Sequence, residues 1–182
     1  MRQWLPGALF FAAMFMIGWF AAVHAIPTIA TDLLWRQFLA GSSRINVLNR
    51  PRLRSAKRNL VVMDNADTVT RSVIYDLSRG PLLFEAEVPG DMEYWSVAVY
   101  AHNTDTLFVA NDQDTGAGPF RLVISRSGEN AQIGTDRVVV SPTERGFLIL
   151  RGVVRDRTNP TEVEQTIARM AKARISPSRG GT

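Results

Sequence analysis

The sequence predicts a mainly β protein, an antiparallel, jelly-roll-like β-sandwich between an N-terminal transmembrane helix and a C-terminal helix. Three observations carry this prediction. Residues 5–23 have no ionisable side chain, residues 59–154 form short apolar runs separated by turn formers, and residues 159–171 repeat apolar side chains at helical spacing. Short strands at such spacing, with no helix between them, are typical of sandwiches rather than of alternating βαβ folds.

The N-terminal segment is predicted to enter a membrane. A helix of the 19 residues 5–23 is about 28 Å long, close to the roughly 30 Å hydrocarbon core of a bilayer. It is either a retained anchor or a cleaved signal peptide, in which Arg2 supplies the positive start and cleavage follows Ala25. We expect the anchor, because the apolar run is longer than the usual core of a signal peptide. Residues 1–27 are therefore assigned as a transmembrane or signal-anchor segment.

The charges beside this segment are nearly balanced, since Arg2 and the N-terminal amine face Arg36 and Arg44 on the other side. We expect the N-terminus inside and the main domain exported, because the small-residue pattern that ends at Ala25 has no purpose otherwise. The predicted location is the inner membrane, single pass, with the main domain in the periplasm. A cytoplasmic domain is the alternative. The chain has no cysteine, which excludes disulfides, thiolate metal sites and cysteine nucleophiles.

Residues 28–58 are predicted to form an amphipathic helix, up to about Ala40, and then a basic linker. We expect this helix to lie along the membrane interface or against the domain. The net charge of +4 is concentrated before residue 60, and Arg44 to Arg58 contains six cations and no acid. This strip is either a solvated linker or a contact for anionic lipid headgroups. Nucleic-acid binding is not expected, because no aromatic side chain is interleaved to stack on bases.

The predicted β-sandwich domain covers residues 59–175. Turn formers such as Ser78-Arg79-Gly80-Pro81 separate its strands. The eight predicted strands are Leu60 to Met63, Ser72 to Leu77, Leu82 to Val88, Tyr94 to Ala101, Thr106 to Ala110, Phe120 to Ser125, Arg137 to Ser141 and Phe147 to Val154. The strand that starts at Tyr94 is apolar on both faces, so we expect it in the interior of a sheet.

A helix is predicted at the C-terminal end of the domain. Asn159 is the expected N-cap, Pro160 the first-turn proline, and Glu162 stands three residues after the cap. One apolar stripe should pack on a sheet: Val163, Ile167 and Met170. The helix is expected to end at Ile175-Ser176-Pro177, and residues 176–182 are predicted to be a disordered tail.

Short motifs recur along the predicted domain in a definite order. They are Asn65-x-Asp67-Thr68, Tyr75-Asp76-Leu77-Ser78-x-Gly80-Pro81, Pro89, Tyr94-Trp95-Ser96-Val97, Ser141-Pro142-Thr143 and Leu150-Arg151-Gly152. In these motifs, over roughly residues 60–175, the chain resembles the bacterial domain of unknown function 1254 family, in particular its short membrane-associated members. The resemblance implies a β-sandwich core without the companion domain of unknown function 1214 that long members carry. It implies no established reaction.

Four residues are candidates for binding a ligand: Asn65, Asp67, Asp76 and Arg151. The first three could converge on one rim to hold a small polar ligand or a cation, since oxygen ligands suit hard ions. Asp76 to Pro81 also has the chemistry of an ordinary tight turn. Arg151 follows an apolar run, so it either emerges into solvent or is buried and paired with Asp67 or Asp76. We expect the buried pair.

No catalytic residue, metal site or cofactor is predicted. His102, Asp105, Asp112 and Asp114 lie close in sequence but lack the spacing of a calcium loop, and no Gly-x-Ser-x-Gly elbow is present. Two function classes remain. We expect a non-catalytic envelope module that contacts membrane lipid and binds an envelope protein or a small polar ligand, but not nucleic acid. The alternative is an envelope enzyme with a carboxylate-based site around Asn65, Asp67 and Asp76.

Overall fold

The structure, a computed structural model, describes residues 5–40, 44–53, 65–92, 94–126 and 137–178. Its elements are α1 (Leu5–Ala40), β1 (Arg52–Leu53), β2 (Thr68–Asp76), β3 (Leu82–Val88), β4 (Trp95–Ala101), β5 (Thr106–Asn111), α2 (Asp112–Thr115), β6 (Gly118–Arg126), β7 (Arg137–Ser141), β8 (Arg145–Val153), α3 (Pro160–Ala171) and β9 (Arg174–Pro177). Seven of the eight predicted strands coincide with these elements. The eighth, Leu60 to Met63, lies outside the described residues.

The strands form two sheets. Sheet A has the order β1-β2-β8-β4-β5, and sheet B has the order β7-β6-β3-β9. All described pairs are antiparallel except β6 with β7, which are parallel. The apolar pattern of a strand is the same in both chain directions, so it could not predict this exception. The mainly β fold with an apolar N-terminal helix and a C-terminal helix is confirmed, whereas the jelly-roll connectivity stays a prediction.

The hydrophobic core lies between the two sheets. The rings of Trp95 in sheet A and Phe120 in sheet B pack at a centroid distance of 5.4 Å. In β8 the alternation that strands impose is clear, because Leu148 and Leu150 point into the core. Each large apolar side chain buried in this way contributes about 1.5–3 kcal/mol relative to an exposed one. Strand β4 lies inside sheet A, as its apolar residues on both faces predict.

Helix α3 begins where the sequence predicts. The Asn159 side chain accepts hydrogen bonds from the backbone N–H groups of Thr161 and Glu162. The predicted stripe is confirmed: Met170 is buried in the core, and Val163 and Ile167 pack against it. Glu162 does not close a capping box on Asn159. Its carboxylate instead accepts the N–H groups of the chain just before the helix, at residues 155 and 156.

The chain after α3 differs from the prediction. The helix ends at Ala171, and β9 then pairs with β3. Ile175 packs against the core, and the Ser178 N–H donates to the Pro81 carbonyl. The predicted disorder is therefore wrong for residues 176–178, because ladder hydrogen bonds and the apolar side chain of Ile175 hold this segment on sheet B. Residues 179–182 lie outside the described residues.

Helix α1 is continuous, so the predicted membrane segment and the amphipathic helix expected after it form one helix. Pro27 lies inside this helix, and the Thr31 hydroxyl donates to the Pro27 carbonyl at 2.9 Å. By length and composition α1 can cross a membrane, with a candidate span Pro6–Gln37 of mean hydropathy 2.0. A signal sequence has the same properties. The N-terminal helix thus has the length and composition that an anchor or a signal sequence needs.

Residues 44–53, part of the predicted linker, pack against sheet A. The backbone N–H groups of Asn46 and Asn49 donate to the carbonyls of Ile74 and Ser72. Leu48 is buried in the core, and Arg52 and Leu53 form β1 at the sheet edge. The high charge of this stretch obscured the buried residue in its sequence, because its three arginines surround a single buried leucine.

Candidate functional site

The structure separates three of the predicted ligand-binding residues. Asn65 and Asp67 precede β2 and Asp76 ends it, so the strand between them, of nine residues, holds the two ends roughly 26 Å apart. Asn65 Oδ1 accepts the Asp67 N–H at 3.0 Å, and the Asp67 carboxylate lies 3.9 Å from Arg157. The first contact is local to this turn, and the second is an ion pair between two exposed side chains. The three side chains do not form one site.

Arg151 is exposed on the outer face of sheet A, where its register neighbours are Thr70 and Ser96. The buried pair that we expected with Asp67 or Asp76 is wrong. The alternation of β8 gives the inward positions to Leu150 and Gly152, and Arg151 between them must face outward.

Among the residues that the structure describes, the buried arginine is Arg71 in β2, which is only 8% exposed. Its guanidinium donates to the carbonyls of Asn49 (2.7 Å), Met170 (2.9 Å) and Ala173 (2.8 Å). Burial lowers the pKa of this guanidinium from its ordinary value. The last carbonyls of a helix carry partial negative charge and so stabilise a cation. Arg71 therefore attaches the C-terminal end of α3 to sheet A.

The pattern of β2 in the sequence contains a signal for the burial of Arg71, which was not among the predicted site residues. The alternate residues Val69, Val73 and Tyr75 face the core, and Arg71 takes the inward position between the first two. A lone charge on the apolar side of a strand is the pattern of a buried, satisfied side chain.

An open groove lies beside Arg71, between the end of α3, β9 and β3. It comprises two neighbouring cavities of about 560 and 390 Å³ that share Glu85 and Arg174 as lining residues. Lys172 and Glu87 line the larger cavity, and Arg71 lines the smaller one. The volumes suit a small ligand. The charges are mixed, and Glu85 is already paired with Arg121 at 2.7 Å.

The second candidate surface is the end of the sandwich on which α1 docks. Trp35 of α1 is 8% exposed and packs edge-on against Phe147 and His102, with centroid distances of 5.8 and 5.9 Å. The Arg145 guanidinium lies over the same indole at 5.5 Å. Asp32 Oδ1 lies 3.0 Å from His102 Nε2. We call this end of the sandwich, with the turns around residues 77–81, 102–105 and 141–145, the docking rim.

Asp76 and Arg145 form an ion pair at the docking rim, with Nε donating to Asp76 Oδ2 at 3.0 Å. The Ser78 N–H donates to the other carboxylate oxygen at 2.9 Å, as expected for a tight turn. Burial raises the pKa of Asp76, but the hydrogen bonds of Ser78 and the charge of Arg145 outweigh it, so the pKa lies below its ordinary value. Gly80 completes the turn with a φ of +114°.

A buried hydroxyl network supports the same rim. The Tyr75 hydroxyl donates to the Tyr100 carbonyl at 2.9 Å and lies 3.1 Å from Ser141 Oγ. Ser141 in turn donates to the Thr143 carbonyl at 2.7 Å. Burial raises the pKa of the Tyr75 phenol, and the hydrogen bond with Ser141 opposes this change. Gly146 is needed here, since a Cβ would collide with the Tyr75 ring and the Tyr100 carbonyl.

His102 and the aspartates near it do not make a metal site in the described residues, which contain no group of three or more possible ligands. Asp112 Oδ1 accepts the Trp95 N–H, and Asp114 caps α2 together with Asn111. These carboxylates hold turns at the end of the sandwich opposite the docking rim.

The fold and these surfaces define a class of protein: one β-sandwich behind an apolar helix, with no assembled catalytic centre among the residues described. The chain belongs to the family described as Protein of unknown function (DUF1254), whose profile matches residues 45–176. The resemblance seen in the sequence motifs is confirmed. The match begins next to Asn46, whose backbone N–H donates to the Ile74 carbonyl of sheet A.

A solved structure shares this fold. The VPA0106 protein from Vibrio parahaemolyticus superposes with a TM-score of 0.69 at 12% identity, over 89% of this chain and 41% of its own. An uncharacterised protein from Burkholderia cenocepacia gives a TM-score of 0.46 at 13% identity, over 60% of this chain and 32% of its own. This chain therefore spans about two fifths of the Vibrio protein. The likeness shows the fold alone. No curated protein sequence matches this chain.

Proposed function

We propose that the protein is a membrane-anchored module of the bacterial envelope. Helix α1 is retained as a single-pass anchor in the inner membrane, and the sandwich is a non-catalytic binding module on the periplasmic side.

The exposure of the side chains along α1 is the observation that supports this proposal. Large apolar side chains such as Phe11 and Phe15 are exposed along its N-terminal part, whereas Trp35 near its C-terminal end is buried against the sandwich. Each large apolar side chain left in water costs about 1.5–3 kcal/mol, and a bilayer removes that cost. Helix α1 thus has an apolar surface that favours lipid at one end and is packed on the sandwich at the other.

The groove beside Arg71 is our candidate for the binding surface. Its mixed charges, from Lys172, Arg174 and Glu87, suit a small polar ligand or a polar segment of an envelope protein. The described lining holds no nucleophile beside a base, which favours binding over catalysis. The enzyme alternative depended on Asn65, Asp67 and Asp76 meeting in one pocket, and their separation along β2 gives it no support.

The anchor is tested with the full-length chain carrying a C-terminal reporter that is active in one compartment only, together with the mass of the membrane-extracted product. We expect an exported reporter and an uncleaved chain. A matched variant, Ala25→Leu, removes the small residue that a signal peptidase needs, so its mass should differ from that of the wild type only by the added methylene groups of the leucine. A wild-type product that lacks residues 1–25 would replace the anchor with a soluble envelope protein. A cytoplasmic reporter signal would reverse the topology.

A further inference from the structure

The second half of α1 has two distinct faces. Pro27, Thr31 and Trp35 recur every four residues on the side that is shielded by the rest of the chain. On another side Ile26, Ile29 and Leu33 are 56–62% exposed, and Arg36 is the next residue of that stripe. An arginine that ends an apolar, lipid-facing stripe places its guanidinium at the phosphate level, because its methylene stem stays in the apolar layer. Arg36 therefore marks the membrane surface.

The length of α1 also places Arg36 at the membrane surface. From Pro6 to Arg36 the helix rises about 45 Å, which matches the roughly 40–45 Å of a bilayer with its headgroups. Trp35, next to Arg36, is the residue that contacts Phe147 and Arg145. The docking rim is thus held at the height of the lipid headgroups.

The rim presents arginines at this height. Arg79 lies in the turn 77–81, and Arg44 stands two residues before Asn46, whose side chain hydrogen-bonds the Asp76 backbone. Both arginines are exposed, and neither takes part in the ion pairs found within the part of the chain that the structure describes. Three acidic side chains of the rim have cationic or ionisable partners: Asp76 with Arg145, Glu144 with Arg126, and Asp32 with His102. Asp105, also on the rim, is exposed and accepts a hydrogen bond from the Asn103 side-chain amide. A guanidinium binds phosphate oxygens with paired, charge-assisted hydrogen bonds.

We infer that the docking rim lies in the phospholipid headgroup layer and that Arg44 and Arg79 bind lipid phosphate groups there. The inference rests on the proposed function, since it requires α1 to be the retained anchor. It deepens that function by fixing which end of the sandwich faces the bilayer, so the groove beside Arg71 and the opposite turns remain open to the aqueous side.

The chain has no cysteine, so single-cysteine probes report one position each. Asn103→Cys places a fluorescent label on the rim, and Gln113→Cys places it on α2 at the opposite end; both residues are exposed. The full chain is reconstituted in phosphatidylcholine–phosphatidylglycerol vesicles containing lipids with a quencher on the headgroup. We expect several-fold stronger quenching at the rim. Equal quenching of the two labels in chains that float with the vesicles would overturn the inference and leave the anchor intact.

A charge variant tests the phosphate contact itself. Arg79→Gln in the rim-labelled chain should reduce quenching, and more so at low salt, whereas the matched Arg151→Gln on the outer face of sheet A should not. Equal effects of the two variants would contradict a role for Arg79. Chains that do not float with the vesicles after alkaline extraction would contradict the proposed anchor itself, and with it this inference.

Discussion

Arg71 and Arg151 lie in neighbouring strands of sheet A and have opposite surroundings. The guanidinium of Arg71 is enclosed by backbone carbonyls at the end of α3, and that of Arg151 is in solvent beside Thr70 and Ser96. A buried carbonyl that loses its donor keeps the full cost of its desolvation, whereas an exposed side chain has little to lose. Two residues of the same type should therefore differ sharply in their contribution to stability.

Arg71→Met should lower the free energy of unfolding by more than about 2 kcal/mol, because several carbonyls lose their donor and α3 loses its attachment. The matched variant Arg151→Met should stay within about 0.5 kcal/mol of the wild type. Urea unfolding of the full chain in detergent micelles, followed by circular dichroism, measures both. Similar losses for the two variants would show that Arg71 is not the structural arginine.

Asp76 should make part of the stability depend on pH. Because its pKa in the folded protein lies below the ordinary value, its contribution is fully present above the pKa of the unfolded chain. That contribution is lost as the pH falls through the lower, folded pKa. Asp76→Asn should therefore have a free energy of unfolding about 1 kcal/mol lower than the wild type at neutral pH. On acidification below about pH 4, the variant should lose less of its stability than the wild type does. Melting temperatures measured against pH check this, and parallel curves for variant and wild type would contradict it.

At the scale of elements, α1 and the sandwich act as one body because Trp35 is inserted between Phe147, His102 and Arg145. Nearer the N-terminus of the same helix, Trp19 is exposed and stacks on Phe15. The two tryptophans of one helix thus offer a matched pair for testing whether the helix is docked.

Trp35→Ala should release the end of α1 from the sandwich, because burial of an indole contributes about 3–5 kcal/mol in a packed site. Hydrogen exchange of the full chain in micelles should then be faster at residues 27–37 and unchanged in β4 and β8. Trp19→Ala should leave exchange at residues 27–37 as in the wild type. If both variants exchange alike, Trp35 does not hold the helix.

Some of the helices and strands could be predicted from the sequence, and others could not. Period-two alternation and turn formers placed the described strands from β2 to β8, and Asn159 with Pro160 placed the start of α3. Strand β9 was missed because its four residues, with one apolar side chain, are too short for a periodic signal. The parallel direction of β7 and the packing of residues 44–53 depend on tertiary contacts, which no local pattern contains.

At the scale of the whole molecule, the candidate site was the least predictable part. Asp67 and Asp76 are only nine positions apart in the sequence. They lie at opposite ends of β2, because an extended strand separates residues that are close in sequence. The docking rim joins residues from α1, β8 and three turns, and one of its contacts links Asp32 with His102, 70 positions apart in the chain. Such a surface becomes visible only when the fold is known.

The central claim is that a retained α1 is docked on the sandwich, and one cross-linking measurement tests both halves of it. Asp32→Cys and His102→Cys are combined in the chain that otherwise has no cysteine, treated in membranes with a short bifunctional thiol reagent, and the extracted product is analysed by mass spectrometry. Asp32→Cys with Gln113→Cys is the matched control. We predict an intramolecular cross-link only for the first pair, in a chain that retains residues 1–25. A product without those residues, or no cross-link between positions 32 and 102, would contradict the account.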